Sequence, residues 1–231
     1  MGKNVISFSL WGQDALYWVG ALRNIELAKK YYPEWFCRFY IDKNCNQELI
    51  DTIKGDNVEV VLVDSKDSFH GMFWRFWAAA DPDVNIFMSR DTDSRLSDRE
   101  YYAVQEWLSS DKDFHILRDH IYHTVPILGG MWACRYGILR DLDVISKINS
   151  WTHFSKKGCD QDFLGAVIYP LIKDRAMEHS EFGLKFGGEI RPFPTIRKDY
   201  EFVGDVFDEN DIRHPDYWQI IKRYYEQAIY R

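Results

Sequence analysis

Asp91-Thr92-Asp93 is the stretch of this chain whose residue types and spacing most directly suggest chemistry. Two carboxylates two residues apart, released from the apolar run Val84-Asn85-Ile86-Phe87-Met88, can converge on one hard divalent cation while that cation bridges a diphosphate. An isolated Asp-x-Asp is also an ordinary solvated turn, because Asp is a common turn residue. Position separates the two readings: the pair follows the carboxyl end of a predicted buried strand, where open α/β sheets place their ligands. Arg90 and Arg95 flank it with cations, which suits a site where metal and phosphate meet.

Two other phosphate chemistries fit less well. Haloacid-dehalogenase phosphatases also place Asp-x-Asp after an apolar strand, but they want Thr or Val two residues beyond the second Asp. Here that position is Arg95, and the strand is a fourth one instead of the first. Nothing matches Gly-x-x-x-x-Gly-Lys-Ser/Thr, so a P-loop is absent. Arg75 stands out on the otherwise apolar Phe73-Trp74-Arg75-Phe76-Trp77. A buried Arg needs a partner, and either Asp93 or a pyrophosphate oxygen would serve; a purely structural ion pair is the competing reading.

The elements that must position these residues follow from periodicity. Short apolar runs alternate with helical patterns through the first half, which predicts a mainly parallel sheet flanked by helices. Strands are expected at Val5 to Phe8, Phe36 to Ile41, Val58 to Val63 and Val84 to Met88. Helices are expected at Leu16 to Tyr32, stopped by Pro33, at Gln47 to Ile53, and at Phe69 to Ala80. Ser97-Asp98-Arg99-Glu100 is a capping box opening a helix to Leu108. Beyond it the alternation degrades. Phe114 to Arg118 and Ile127 to Ala133 read as strands, and Asp160 to Ile172 as a helix with a possible kink at Pro170. Gly183 to Pro194 reads as a loop-rich segment over the ligand edge, and about 215–230 as a closing amphipathic helix whose Tyr-rich stripe includes Lys222, Arg223 and Arg231.

Composition sets the frame. With 231 residues, 46% hydrophobic and 16% aromatic, the chain can bury one sizeable core, and 1–231 is read as a single domain. A net charge of −7 with no basic block argues against nucleic acid as the partner. Cys37, Cys45, Cys134 and Cys159 show no metal spacing and are expected to be free thiols. No segment approaches the roughly 20 apolar residues of a transmembrane helix. The amino terminus runs straight into a strand pattern without a signal-like apolar region, so a cytoplasmic location is expected.

Several separate stretches together resemble a glycosyltransferase family of the GT-A fold, seen in small bacterial and large-DNA-virus proteins. They are Ile6 to Gly12, Phe73 to Phe76, Arg90 to Arg95 with Arg99-Glu100, His115 to His120, Ile127 to Trp132, Asp160 to Leu164, and Phe202 to Asp205. The resemblance spans Asn4 to about Asp211. It implies an α/β, Rossmann-like GT-A domain that transfers a sugar from a nucleoside-diphosphate sugar, expected to be a UDP-sugar. The acceptor would be a hydroxyl of a glycan or glycoconjugate, and Mn²⁺ or Mg²⁺ would be held by the Asp pair.

The same resemblance distributes roles. Asp91 would lie near the donor's ribose or sugar hydroxyls and Asp93 would coordinate the metal, with His179 as a third ligand, although Ser180 replaces the Asp usual after that His and an ordinary loop histidine is the alternative. Ser9, Leu10 and Trp11 would frame the donor's base and ribose, joined by Arg75 and Arg90; Trp11 could equally be core. Of Asp160 and Asp162 at a helix start, Asp162 is expected to reach the acceptor hydroxyl or sugar and Asp160 to cap the helix. Gly130 would let backbone approach a sugar, with Trp132 as a flat apolar face or as a core residue. Arg118, Asp119 and His120 would line the acceptor side or form a surface ion-pair cluster. Two further classes stay open: a nucleotidyltransferase, whose usual glycine-rich, Arg-containing loop after strand one is absent, and a non-catalytic glycan- or nucleotide-binding module.

Overall fold

The computed structural model describes residues 2–65, 69–135, 137–154 and 156–228. Eight strands form one sheet: β1 (Lys3–Leu10), β2 (Phe36–Asp42), β3 (Val58–Val63), β4 (Val84–Ser89), β5 (Phe114–Arg118), β6 (Trp132–Arg135), β7 (Ala176–Ser180) and β8 (Glu189–Arg191). Their order is β3-β2-β1-β4-β6-β5-β7-β8. All neighbours run parallel except at β6, which is antiparallel to both β4 and β5.

The helices are α1 (Ala15–Tyr31), α2 (Gln47–Thr52), α3 (Gly71–Trp74), α4 (Asp98–Leu108), α5 (Ile138–Asp141), α6 (Val144–Ser150), α7 (Cys159–Phe163), α8 (Tyr169–Ile172) and α9 (Pro215–Ala228). Local chemistry starts them where the sequence signals it. Asp14 accepts the Leu16 N–H at 3.1 Å to open α1, Asn46 accepts that of Glu48 at 2.9 Å to open α2, and Ser97 that of Glu100 at 3.2 Å to open α4. The four cysteines are free, as expected, and all four are buried.

Strand period 2 feeds two cores. On β1, Val5 joins the apolar layer built with Phe73, Phe76 and Phe87, while Ile6, Phe8 and Leu10 join the layer built with Trp18, Phe39 and Trp107. Ser7, two residues on from Val5, therefore lies on the first of these faces, where it meets the segment that carries Arg75.

The structure departs from the sequence expectations where burial masks the pattern. The expected helix Phe69 to Ala80 is only one turn, α3, continued as a 3₁₀ segment over Arg75–Ala80. The expected strand Ile127 to Ala133 shrinks to β6, because Leu128 to Met131 form a turn closed by a 3.1 Å hydrogen bond. From α7 to α8 the chain is helical, and the π stretch Leu164–Ile168 lies just before Pro170, which has no N–H for a helical bond. β7 and the short edge strand β8 were not anticipated, nor were α5 and α6. The closing helix runs over Pro215–Ala228; Tyr230 and Arg231 lie outside the described residues. No described helix is long and apolar enough to cross a membrane.

Candidate active site

The Asp91-Thr92-Asp93 loop leaves the carboxyl end of β4 and is gripped from behind by α1. A Cβ on Gly20 would stand 1.8 Å from the Thr92 carbonyl oxygen, so only glycine allows the helix to approach so closely. One turn on, the buried Asn24 spans the loop: its Nδ2 donates to the Ser94 carbonyl at 2.8 Å and its Oδ1 accepts from the Leu96 N–H at 3.0 Å. On the other side the Phe207 N–H donates to the Asp93 carbonyl at 2.9 Å, tying the segment after Phe202 to the loop.

Arg75 is the centre of the site. Ser7 Oγ donates to its carbonyl at 2.7 Å and Ser9 Oγ accepts its N–H at 3.0 Å, which fixes its backbone to β1. Its guanidinium then bridges two carboxylates: Nη1 pairs with Asp91, and Nη2 donates to Asp160 Oδ2 at 2.9 Å. Burial drives the Asp160 carboxyl upward in pKa, and the adjacent guanidinium opposes that rise. Asp160 Oδ1 is buried without a hydrogen-bond partner among the described residues.

The glycine pair makes room for this arrangement. A Cβ on Gly129 would fall 2.1 Å from Asp160 Oδ2, and one on Gly130 would fall 1.9 Å from Asp91 Oδ2. Ser89 Oγ donates to the Gly129 carbonyl at 2.6 Å and locks the turn to the end of β4.

These groups open onto a cavity of about 440 Å³ at the carboxyl edge of β1 and β4. Ser9, Leu10 and Trp11 line one wall, Asp91, Thr92 and Asp93 the floor, and Asp160 and Gln161 of α7 the far side, with Gly204 and Val206 at the lip. Trp11 lies against Gly71, where a Cβ would meet the indole at 2.6 Å, and edge-on to Trp74. Burial, then the charge of Asp91, pushes the Asp93 carboxyl up to about 6, against a smaller opposing effect of Lys157. Tyr17 faces the same carboxylates, and burial followed by the charge of Asp93 raises its hydroxyl.

Sequence reasoning brought Ser9, Leu10, Trp11, Arg75, Asp91, Asp93 and Asp160 to this cavity. It missed Tyr17, Phe69, Met72, Lys157 and Gln161. Its assignment for α7 is reversed by the structure. Gly158, at φ +86°, occupies the cap position, so the helix begins two residues earlier than expected and Asp160 turns inward. Residues two apart on a helix point in nearly opposite directions. Asp162 is accordingly half-exposed and paired with Lys156 at 2.8 Å. Arg75 is partnered by Asp91 and Asp160, not by Asp93.

Five other residues lie elsewhere. Arg90 is buried behind the loop, donating from Nε to Glu100 at 2.8 Å and from Nη1 to backbone carbonyls, so it has no face on the cavity. Asp119 is wholly buried and saturated: Arg99 donates at 2.7 and 2.9 Å, Arg197 at 2.6 Å and the Val203 N–H at 2.9 Å. It anchors the carboxyl-terminal segment to β5 and cannot bind an acceptor. His120 has both ring nitrogens engaged by backbone, at Tyr217 and Tyr122. Trp132 is core, packed edge-on against Phe76 and Phe87. Gly130 serves the Asp91 carboxylate and does not line the cavity.

His179 lies on β7, separated from β4 by two strands, which at strand spacing is roughly 14 Å across the sheet. Its Nδ1 shares a 2.8 Å hydrogen bond with His115 and its Nε2 a 3.3 Å contact with Glu106. It is a buried structural histidine and stands apart from the Asp pair. The Gly183 to Pro194 segment likewise runs beside β7 and contributes nothing to the cavity, whose lip comes from Gly204 and Val206.

Among the described residues no three His, Cys, Asp or Glu side chains form a ready-made metal cluster. The donor set still fits Mg²⁺ or Mn²⁺. These ions take hard oxygen ligands and are commonly held by one or two carboxylates, with waters and substrate phosphates completing the shell. Asp93 is a half-buried carboxylate whose charge is disfavoured by desolvation and by Asp91, which is where a cation gains most.

The sheet order, with its single antiparallel strand and its cavity at the β1/β4 edge, defines a GT-A-type fold. One solved structure agrees. A glycosyltransferase involved in the glycosylation of the major capsid of PBCV-1 superposes with a TM-score of 0.53 at 13% identity, over 78% of this chain and 82% of that one. The galactosyltransferase LgtC, solved with donor and acceptor sugar analogs, gives 0.47 at 13% identity over 76% and 73%. The 4-diphosphocytidyl-2C-methyl-D-erythritol synthase of Anaerococcus prevotii gives 0.49 at 12% identity over 82% and 94%. At 13% identity the first of these likenesses concerns fold alone, and the two below 0.5 carry no weight. No protein-family model and no curated protein sequence matches the chain.

Proposed function

We propose that this protein is a glycosyltransferase that moves a sugar from a nucleoside-diphosphate sugar, UDP being the expected nucleotide, to a hydroxyl of a glycan or glycoconjugate, with Mn²⁺ or Mg²⁺ at Asp91 and Asp93. The observation that carries this reading is the Asp93 carboxylate. It lines the cavity half-buried, with no ion pair and no hydrogen bond to another described residue's side chain, beside an Asp91 already fixed by Arg75. Such a carboxylate is poised for a cation rather than for structure.

The departing group of the reaction is a diphosphate, and a bound divalent cation supplies charge stabilisation to it without a proton donor. The rest falls to the chain's own side chains. Asp160, held by Arg75, keeps Oδ1 free to accept from a sugar or acceptor hydroxyl. Tyr17, kept protonated, can donate to the donor. The Trp11 ring, supported by Gly71, offers an apolar wall to a base or sugar ring.

Isothermal titration of UDP and GDP with and without Mn²⁺ tests the proposal. The wild type should bind a nucleoside diphosphate only with metal, and Asp93→Ala should lose that binding while its circular dichroism is unchanged. Absence of metal-dependent binding for every nucleoside diphosphate overturns the assignment.

A further inference from the structure

Three carboxylates, Asp91, Asp93 and Asp160, and two cations, Arg75 and Lys157, line the cavity among the described residues. The cations are not equivalent. Arg75 is buried and already engaged by Asp91 and Asp160, so its charge is committed to the framework. Lys157 is exposed at the cavity wall and makes no hydrogen bond or ion pair with another described residue. Its neighbour Lys156 is different again, being paired at 2.8 Å with Asp162 on the outside of α7. The left-handed turn at Gly158 (φ +86°) follows Lys157 directly and leads into α7, which carries Asp160.

An ammonium left without a partner beside three carboxylates is a point charge available to a ligand. The unliganded cavity carries one net negative charge; a divalent cation turns this into one net positive charge, which suits an anion. Resting on the nucleotide-sugar reading above, we propose that Lys157 is the diphosphate-binding cation of this site: its ammonium contacts a phosphate oxygen of the donor from the α7 side, while the Asp pair addresses the diphosphate from the β4 side. Lys157 thereby sets affinity for the diphosphate and has no part in recognising the base.

The test uses the full chain with Mn²⁺ and two probes, UDP and inorganic pyrophosphate, with uridine as the phosphate-free comparison. Lys157→Gln should bind UDP and pyrophosphate about ten- to a hundredfold more weakly, as expected for a lost charge-assisted hydrogen bond. Uridine binding should be unchanged, Lys157→Arg should recover most of the UDP affinity, and Lys156→Gln should match the wild type. Thermal melts establish that each variant is folded, which the exposure of both lysines favours.

The outcomes separate the two claims. If the wild type binds UDP and Lys157→Gln binds it equally well, or Lys156→Gln loses as much, the role of Lys157 is overturned and the glycosyltransferase reading stands. If the wild type binds pyrophosphate through Lys157 but no nucleoside diphosphate, the reverse holds. Binding of neither probe by the wild type overturns both.

Discussion

Arg75 donates from Nη2 to the Asp160 carboxylate at 2.9 Å, with both side chains almost wholly withdrawn from solvent. The same guanidinium holds Asp91, so one arginine orients carboxylates from two elements that are 69 positions apart in sequence. Breaking a buried pair by removing one partner leaves uncompensated charge, typically a loss of about 3–5 kcal/mol, but a neutral isostere at Asp160 leaves the guanidinium paired with Asp91. Arg75→Met should therefore lower urea stability by about 3–5 kcal/mol. Asp160→Asn should cost less than about 1.5 kcal/mol, because the amide oxygen still accepts from Nη2. Equal losses in the two variants would show that the bridge is not what orders this site.

Much of this was legible in the sequence, for identifiable reasons. The strand before Asp91 and the capping box at Ser97 are local signals, and both elements appear where they were read. Arg75 was conspicuous because a charge interrupts an aromatic run, although its partner Asp160 is supplied by tertiary packing that no local pattern encodes. Asp162 was preferred over Asp160 because the helix start was placed at Asp160; Gly158 was the available sign that it starts earlier. β7 was missed since Glu178 and His179 break an apolar pattern, yet each is hydrogen-bonded inside the fold, Glu178 by Arg118 and Tyr169 and His179 with His115. Tyr17 and Lys157 reach the cavity from a helix's first turn and from a loop, with no motif to mark them.

Gly129 and Gly130 supply a second prediction. Neither adopts a left-handed backbone, so their requirement is one of space alone. In Gly130→Ala the new methyl would stand 1.9 Å from Asp91 Oδ2, and relief requires the carboxylate or the turn to move. Overpacking of this kind costs about 1–3 kcal/mol. Metal-dependent UDP affinity should fall together with thermal stability, because the displaced group is one of the proposed ligands. Wild-type affinity in a destabilised Gly130→Ala protein would show that Asp91 does not need its present position.

His123 supplies the pH dependence. Its Nδ1 accepts the backbone N–H groups of Asp119 and His120 at 3.0 and 3.2 Å, so a proton on that nitrogen would break two hydrogen bonds. Burial, reinforced by the neighbouring His120 and Arg118, pushes the ring down to about 3. The unfolded chain titrates near 6.5, so between the two values the unfolded state takes up a proton that the native state refuses. The contribution of His123 is fully present above pH 6.5, is lost as pH falls, and stops changing below about 3. Its slope cannot exceed about 1.4 kcal/mol per pH unit. In His123→Asn the amide oxygen can accept the same N–H groups without titrating. Stability of wild type and variant should therefore converge or cross as pH is lowered from 7 to 4, the wild type losing more, which paired urea titrations across that range measure directly. Parallel pH profiles would mean that the ring protonates in the folded protein without opening the Asp119–His123 turn.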